Sequence, residues 1–349
     1  MSYLSNLIQC PTIQTDINAF GCDKSVMLKL NETGLVQFVV SPVNTGNTLK
    51  QLISPGAGKL KSVELVYTPR IKADDVATVI TRESCVASTP HGNRSATYTL
   101  DPNVGVQIER RIHMSDLNTI CKDNESYISE MLLQMMDAAI RKMDVTTASQ
   151  AVLLAGTFGQ GETGVSGNVK TVKTQRADGG LNPDFISQID YAAENAGYCF
   201  KPFVLGWDEI YRSYRKLAAS CCADSGINVA ELAQSVGLDG SFIADRNVHT
   251  SLGVAADFLT IDPGAVQLLT FNQFAGYGNM MEEATFVQKT ITHPQTGIVF
   301  DYQAKFDCGF WNFFISVAHK LVGVPTDEYF SGDIYSGTTG VNKFLIVNP

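Results

Sequence analysis

Apolar and polar positions alternate along two stretches of the chain and recur at helical spacing along a third. In residues 59–70 (KLKSVELVYTPR), Val63, Leu65 and Tyr67 fall on one side of a period-2 pattern and Ser62 and Glu64 on the other, which predicts a long strand. A second such run covers 94–113. There Ala96, Tyr98 and Leu100 share a face, and Val104, Val106 and Ile108 follow after Asp101-Pro102. The turn-rich segment SCVASTPHGN (84–93) lies between the two runs. Strands of about 12 residues reach ~40 Å at 3.3 Å per residue. With little apolar surface to fold them back onto a core, they predict a projecting two-stranded arm.

The helical stripe runs from Asn124 to Ala155. Ile128, Met131, Leu132, Met135, Ala138, Ala139 and Met143 recur at i, i+3, i+4, while Glu130, Gln134, Asp137 and Arg141 take the other side. Asp123 or Asn124 can cap the start and Gly156 can close the end. A continuous helix here measures ~45 Å at 1.5 Å per residue, several times the length of an ordinary globular helix in turns.

Around these stretches the signals are shorter. Residues 1–20 show no sustained period and read as an arm. Val26–Leu30 and Leu35–Val40 flank Asn31-Glu32-Thr33-Gly34, which predicts a short hairpin, and 41–58 reads as a linker. Residues 157–180 read as a Gly-rich connection. Beyond it, helices are expected at 182–196, 207–219 and 229–236, with strands at 203–205, 241–244 and 265–271, forming a compact domain. Residues 284–292 and 298–306 alternate around His293-Pro294-Gln295-Thr296-Gly297, a hairpin signature, and the apolar run 310–324 completes that sheet. The segment from Thr326 onward carries no clear pattern. The fold class is α+β.

Charge narrows the function. The 349 residues carry a net charge of −9 with only 17% charged residues, and a general nucleic-acid binder carries a basic field instead. A surface rich in neutral amides suits burial between subunits, since each buried charge needs a partner. Residues 57–112 stand apart, with eight Lys/Arg against six Asp/Glu, a net of +2 that leaves −11 on the remainder. Its cations Arg70, Lys72, Arg94, Arg110 and Arg111 are the candidate subunit contacts, because a mildly basic arm is steered onto an acidic neighbour. The eight cysteines are scattered and read as reduced thiols. Residues 1–20 lack the pattern of a signal peptide, and no run of 18 apolar residues occurs, so neither export nor a membrane span is expected.

Chemistry-bearing motifs are weak. Gly159, Gly161 and Gly164 spell GxGxxG but follow the long helix rather than a strand, so a flexible connector is the better reading than a dinucleotide site. None of the five histidines pairs with another at i, i+4, and no metal, cofactor or catalytic residue is assigned. The aromatic run Phe300, Tyr302, Phe306, Phe310, Trp311, Phe313 and Phe314 reads as core or subunit packing before a ligand slot.

The order of these elements resembles the major capsid proteins of tailed bacteriophages, with a fold of the Hong Kong 97 type. The stretch RKMDVTTASQAVLLAG (141–156) is similar to the family's spine-helix end, and 182–211 to the opening of its axial domain. The resemblance implies an N-terminal arm and linker (1–56), an extended loop (57–112), a peripheral domain with the spine helix (113–180 and 281–325), an axial domain (181–280) and a C-terminal tail (326–349). Residues 21–56 and the tail exceed the simplest family plan. What it implies for function is a structural, non-enzymatic subunit assembled in the host cytoplasm into the icosahedral shell of the virion. Copies of the chain are its partners, in pentamers and hexamers, with a separate scaffolding protein, a portal and decoration proteins; DNA is enclosed without sequence-specific binding, and no membrane is involved. The alternatives are a soluble α+β enzyme with an unrecognised active site, or another virion structural protein.

Overall fold

The computed structural model describes residues 30–42, 44, 50–54, 61–67, 94–119, 124–159, 161–180, 182, 184–198, 201–213, 242–274, 282–283, 286–323 and 338–349. In chain order the elements are α1 (Leu30–Val40), β1 (Lys50–Ser54), β2 (Lys61–Tyr67), β3 (Arg94–Leu100), β4 (Gly105–His113), α2 (Met114–Thr119), α3 (Asn124–Leu154), β5 (Val165–Ser166), β6 (Val169–Val172), α4 (Phe185–Asn195), β7 (Phe203–Gly206), β8 (Phe242–Ala244), α5 (Arg246–Leu252), β9 (Phe258–Ile261), β10 (Val266–Phe271), β11 (Glu282–Glu283), β12 (Phe286–Thr292), β13 (Val299–Asp307), β14 (Phe310–Gly323) and β15 (Val341–Ile346).

The long helix α3 and the long strand β14 set the scale of the molecule. At 31 and 14 residues they are each ~46 Å long. They also run in register. Thr146 Oγ1 meets His319 Nε2 at 2.5 Å, Gln150 Oε1 accepts from Leu321 N at 2.7 Å, and Leu154 packs beside Gly323. Each step of four residues along the helix, about 6 Å, matches a step of two along the strand, about 6.6 Å.

β14 lies in an antiparallel sheet of order β10-β14-β13-β12-β11, and β4 pairs with its first half beyond the end of β10. Alternation decides the faces. Trp311, Phe313, Ile315 and Val317 point at α3 together with Phe300, Tyr302 and Ala304 of β13 and Val106 and Ile112 of β4. On α3 the buried set is Ile128, Met131, Leu132, Leu133, Met135, Met136, Ala139, Ile140 and Met143. The expected aromatic packing is realised for Phe300, Tyr302, Phe306, Trp311 and Phe313, whereas Phe310 and Phe314 take the opposite face of the sheet. Two positions of the helical stripe are exchanged: Asp137, expected on the solvent side, is buried, and Ala138 is exposed. The sheet covers one side of α3 and α1 and α5 cover another, which leaves Gln134, Ala138, Arg141, Lys142, Val145, Ser149 and Leu153 as a narrow exposed line.

A second, mixed sheet has the order β5-β6-β15-β9-β7-β8, with β6/β15 and β7/β8 parallel. Its core joins Phe158, Val172, Phe185, Ile189, Val204, Phe258 and Phe344, and Phe258 stacks on Phe344 at 4.9 Å. Between the two sheets a third core gathers Leu35, Phe38, Ala148, Ala151, Val248, Leu259 and Val341 around the end of α3.

Several expectations are corrected. Of the hairpin expected at 26–40, residues 26–29 lie outside the described residues and 30–40 form instead the helix α1, broken at Thr33 (φ −146°). Its Asn-Glu-Thr-Gly stretch forms a helix kink rather than a reverse turn, because acceptors from distant elements take up the amides it exposes. The linker 41–58 contains strand β1, which pairs with β2. The run 94–113 is two strands: β3 pairs with β2, whereas β4 leaves the arm at Asp101-Pro102 and joins β14. Apolar Val106 and Ile112, facing the helix, account for that departure. The connection 157–180 holds the hairpin β5–β6, turned by Gly167 at positive φ, with Gly161 and Gly164, also at positive φ, in the loop that leads into it. The tail contributes β15 to the middle of the mixed sheet. Helix α5 and strand β9 were not anticipated. Of the helix expected at 207–219, residues 209–213 are helical and 214–219 lie outside the described residues, as does the helix expected at 229–236.

Candidate assembly interface

The antiparallel sheet β1-β2-β3 meets the rest of the protein through the last residues of β3. Tyr98 donates its hydroxyl to Gly323 O at 2.5 Å, Lys320 Nζ reaches Thr99 O at 3.0 Å, and Leu100 is buried. Arg94, at the opposite end of β3, pairs in register with Tyr67, about 20 Å from Leu100 at 3.3 Å per residue. Arg70 and Lys72 lie outside the described residues.

Arg110 and Arg111 stand elsewhere, on β4. Among the described residues no strand pairs with the other edge of β4, and both arginines are exposed. Arg111 lies over the Phe310 ring at 3.9 Å, and His113 packs edge-on against the same ring at 4.6 Å. Arg110 occupies the helix-facing parity of β4 between Ile108 and Ile112. A charge there blunts a sheet edge against uncontrolled pairing while leaving it open to a partner that supplies acids. The three candidate cations among the described residues therefore do not form one patch. Arg94 belongs to the arm sheet, and Arg110 and Arg111 belong to the body.

The face of the β14 sheet turned away from α3 is polar. A groove of about 480 Å³ runs over it, lined by Gln107, Gln303, Lys305, Phe314 and Ser316 and closed at one end by the turn after β10. Asp301 fixes that turn by accepting from Gln273 N at 2.6 Å and Phe274 N at 3.1 Å. Burial raises the Asp301 carboxyl above its ordinary range, and these two amides offset part of the rise. An antiparallel sheet wet on one face suits a surface exposed to solvent or to a neighbour.

Beneath these surfaces, polar groups fasten the long helix. His293, on the turn joining β12 and β13, places Nε2 2.9 Å from Asp137 Oδ1. Further along, the kink at Thr33 exposes the Leu35 and Val36 amides, which donate to two different carboxylates: Leu35 N to Asp245 Oδ2 at 2.7 Å and Val36 N to Asp144 Oδ1 at 2.9 Å. Asp245 also caps α5, accepting from Asn247 N at 2.8 Å and Val248 N at 3.1 Å. Asn247 Nδ2 bridges Asp144 Oδ2 at 2.7 Å and Glu32 O at 2.9 Å. Both aspartates are fully buried. Burial, then the adjacent Asp245, pushes Asp144 up to about 8. Burial also raises Asp245, while the backbone amides and Asp144 as donor hold it down. The pair therefore holds a proton well above the ordinary carboxylate range.

Sequence reasoning singled out Asp144 only within the stretch 141–156 and passed over Asp245. Their signals were an acid one turn beyond Ile140 in the apolar stripe, and an Asp three residues before Val248 in a helix-cap position. In the mixed sheet, Lys170 pairs with Glu162 in a buried contact that Asn195 joins, and Lys170 Nζ also donates to Thr163 O at 3.0 Å. The glycine-rich loop is thereby fastened to β6 and α4. No cluster of three or more metal-ligating side chains occurs among the described residues, and no described helix is long and apolar enough to cross a membrane.

No family model matches the chain, and no curated protein matches it. Solved structures do. A chain of the cyanophage A-1(L) capsid asymmetric unit is 12% identical, with a TM-score of 0.51 over 93% of this chain and 94% of that one. The capsid of Ralstonia phage GP4 gives 10% identity and a TM-score of 0.46 over 91% and 92%, and a chain of Mycobacterium phage Adephagia gives 15% and 0.42 over 84% and 87%. In architecture, this protein has the α+β fold of the chain found in the cyanophage A-1(L) capsid.

Proposed function

We propose that this chain is the major capsid protein of a tailed bacteriophage, a structural subunit that self-assembles into the icosahedral shell enclosing the genome. The observation that carries this reading is the fold shared with the cyanophage capsid chain across 93% of the sequence. The internal architecture supports it. A helix and a strand of matched length form a stiff bar, and a separate sheet is fastened to the body through Tyr98, Thr99 and Leu100.

The subunit is of the Hong Kong 97 type. Its peripheral domain is built on α3 and the β14 sheet, its axial domain on the mixed sheet, its extended loop on β2 and β3, and its N-terminal arm on the residues before β1. Copies associate in pentamers and hexamers, a separate scaffolding protein sets the curvature, and portal and decoration proteins complete the virion. Assembly takes place in the host cytoplasm. The net charge of −9 suits a container that encloses DNA without gripping it.

The test is to express the chain, purify it and image it by electron microscopy, alone and with a co-expressed scaffolding protein. Closed shells, or sheets and tubes of the same lattice, are expected. Discrete monomers or dimers under both conditions overturn the proposal.

A further inference from the structure

We propose that Asp144 and Asp245 form a proton-dependent latch that holds the first half of α1 on α3 and α5, and that loss of their shared proton under alkaline conditions releases it. The inference stands on the fold of the single chain and does not rest on the shell reading.

The geometry makes the two carboxylates the polar tether of this part of α1. The Leu35 and Val36 amides end on them, and the Glu32 carbonyl ends on Asn247, which itself donates to Asp144. The far end of α1 is fastened separately. Asn44 donates to Val39 O at 3.1 Å and Val266 O at 2.9 Å, and accepts from Gly264 N at 3.0 Å. None of those groups titrates, so Asn44 marks a hinge and Leu35–Val36 the end that lifts.

Among the described residues, the surroundings offer no cation to a second negative charge. Among the described residues of the packed elements, the basic groups are Arg141 and Lys142 on α3 and Arg246 and His249 on α5; the other ionisable groups besides the pair, Glu32 on α1 and Glu125, Tyr127, Glu130 and Asp137 on α3, are acidic, and β8 contributes none. Arg141 lies 3.7 Å from Glu32, Arg246 lies over the Trp207 ring at 4.8 Å, and His249 Nδ1 faces Asp257 O at 3.3 Å. Lys142 is exposed. Two buried carboxylates in contact without a counter-charge cannot both ionise in place, so removing the proton opens the site. The sign follows from linkage. Asp144 binds its proton more tightly in the closed site than in an open one, so closure is fully favoured below the ordinary carboxylate range and weakens as pH rises through about 8.

Hydrogen exchange read by mass spectrometry tests this on the purified full chain, as subunit or as shell. Wild type and Asp144→Asn are compared at equal pH between 6.5 and 9.5, which cancels the intrinsic exchange chemistry. Protection of the peptide covering 30–40 is expected to fall about tenfold between pH 7 and 9 in the wild type and to stay level in Asp144→Asn. The peptide containing Gly264 keeps its protection in both. Equal protection of 30–40 in the two proteins at every pH overturns the proposal, as does a loss spread evenly over the chain. Should Asp144→Asn not fold, the wild-type ratio of the 30–40 peptide to the Gly264 peptide decides, and a ratio constant from pH 7 to 9 overturns the latch.

Discussion

His293 and Asp137 face each other at 2.9 Å with both side chains almost wholly buried, one on the turn between β12 and β13 and the other near the middle of α3. His293 Nδ1 is engaged as well, 3.0 Å from Thr296 Oγ1. The imidazole thus links the hairpin tip to the helix. Asp137→Ala leaves a buried ring nitrogen without its acceptor and is expected to lower stability by about 3 kcal/mol. The double change Asp137→Leu with His293→Leu is expected to cost clearly less than the two single changes added together. Urea unfolding of the wild type, Asp137→Ala, the two single leucine variants and the double variant measures both quantities.

Glycine has two different roles at Gly105 and Gly253. A Cβ at Gly105 falls 2.2 Å from Val317 O and 2.7 Å from Ala318 Cα, all backbone of β14. Gly105→Ala is therefore expected to push the start of β4 off the sheet, at a cost of about 2 to 3 kcal/mol. Gly253 has open space around it but sits at φ +63°, so Gly253→Ala costs only backbone strain, about 1 to 2 kcal/mol. Thermal melts rank the two, and a near-neutral Gly105→Ala contradicts the packing argument.

His319 gives the protein an acid-sensitive element. Burial lowers its affinity for a proton, whereas in the unfolded chain it titrates near the ordinary value. Its contribution is complete above about pH 6.5 and is lost as pH falls toward the folded-state value, at up to about 1.4 kcal/mol per pH unit. Asp144 tilts the other way over the same range, so the comparison with His319→Gln isolates the histidine. The stability difference between wild type and His319→Gln is expected to shift against the wild type from pH 6.5 to 5. A difference independent of pH rules the histidine out.

Reversing the charge of Arg110 and Arg111 to Glu touches exposed groups, so unfolding midpoints are expected to move by less than about 1 kcal/mol. Assembly is expected to respond more, since each small contact recurs in every subunit. The double variant should assemble more slowly than wild type in low salt, with the gap narrowing as ionic strength rises. Light scattering at two salt concentrations follows this, and identical rates at both would remove these arginines from the interface.

The parts of the fold that were legible in the sequence are those whose reasons are local. The stripe of α3 declares itself because Ile128, Met131, Leu132, Met135 and Met143 all face one core, and the β12–β13 turn shows in its own residues. The kink of α1 and the placement of β15 depend on partners far away. Leu35 N finds Asp245 across 210 residues, and Lys343 pairs with Val169, so neither segment announces its state alone. Asp137 was misplaced for the same reason: its partner His293 lies 156 residues on, and helical period alone assigns an aspartate to the solvent side. Of the candidate contacts, Arg110 and Arg111 were expected as cations of the arm and stand instead, exposed, on β4 of the body. Their separation from the arm could not be read before the pairing of β4 with β14 was seen.

The position of β15 governs when the protein can finish folding. β6 has only the two-residue strand β5 on one side and β15 on the other, and β15 also separates β6 from β9. During synthesis, at roughly 5 to 20 residues per second, residues 169–172 therefore wait many seconds for residues 341–346. Throughout that interval the facing edges of β6 and β9 are unpaired templates for other strands. A ribosome crowded with copies of this chain thus meets its greatest risk of misassembly before residue 346 emerges, and any factor that shields nascent strands acts most usefully in that window.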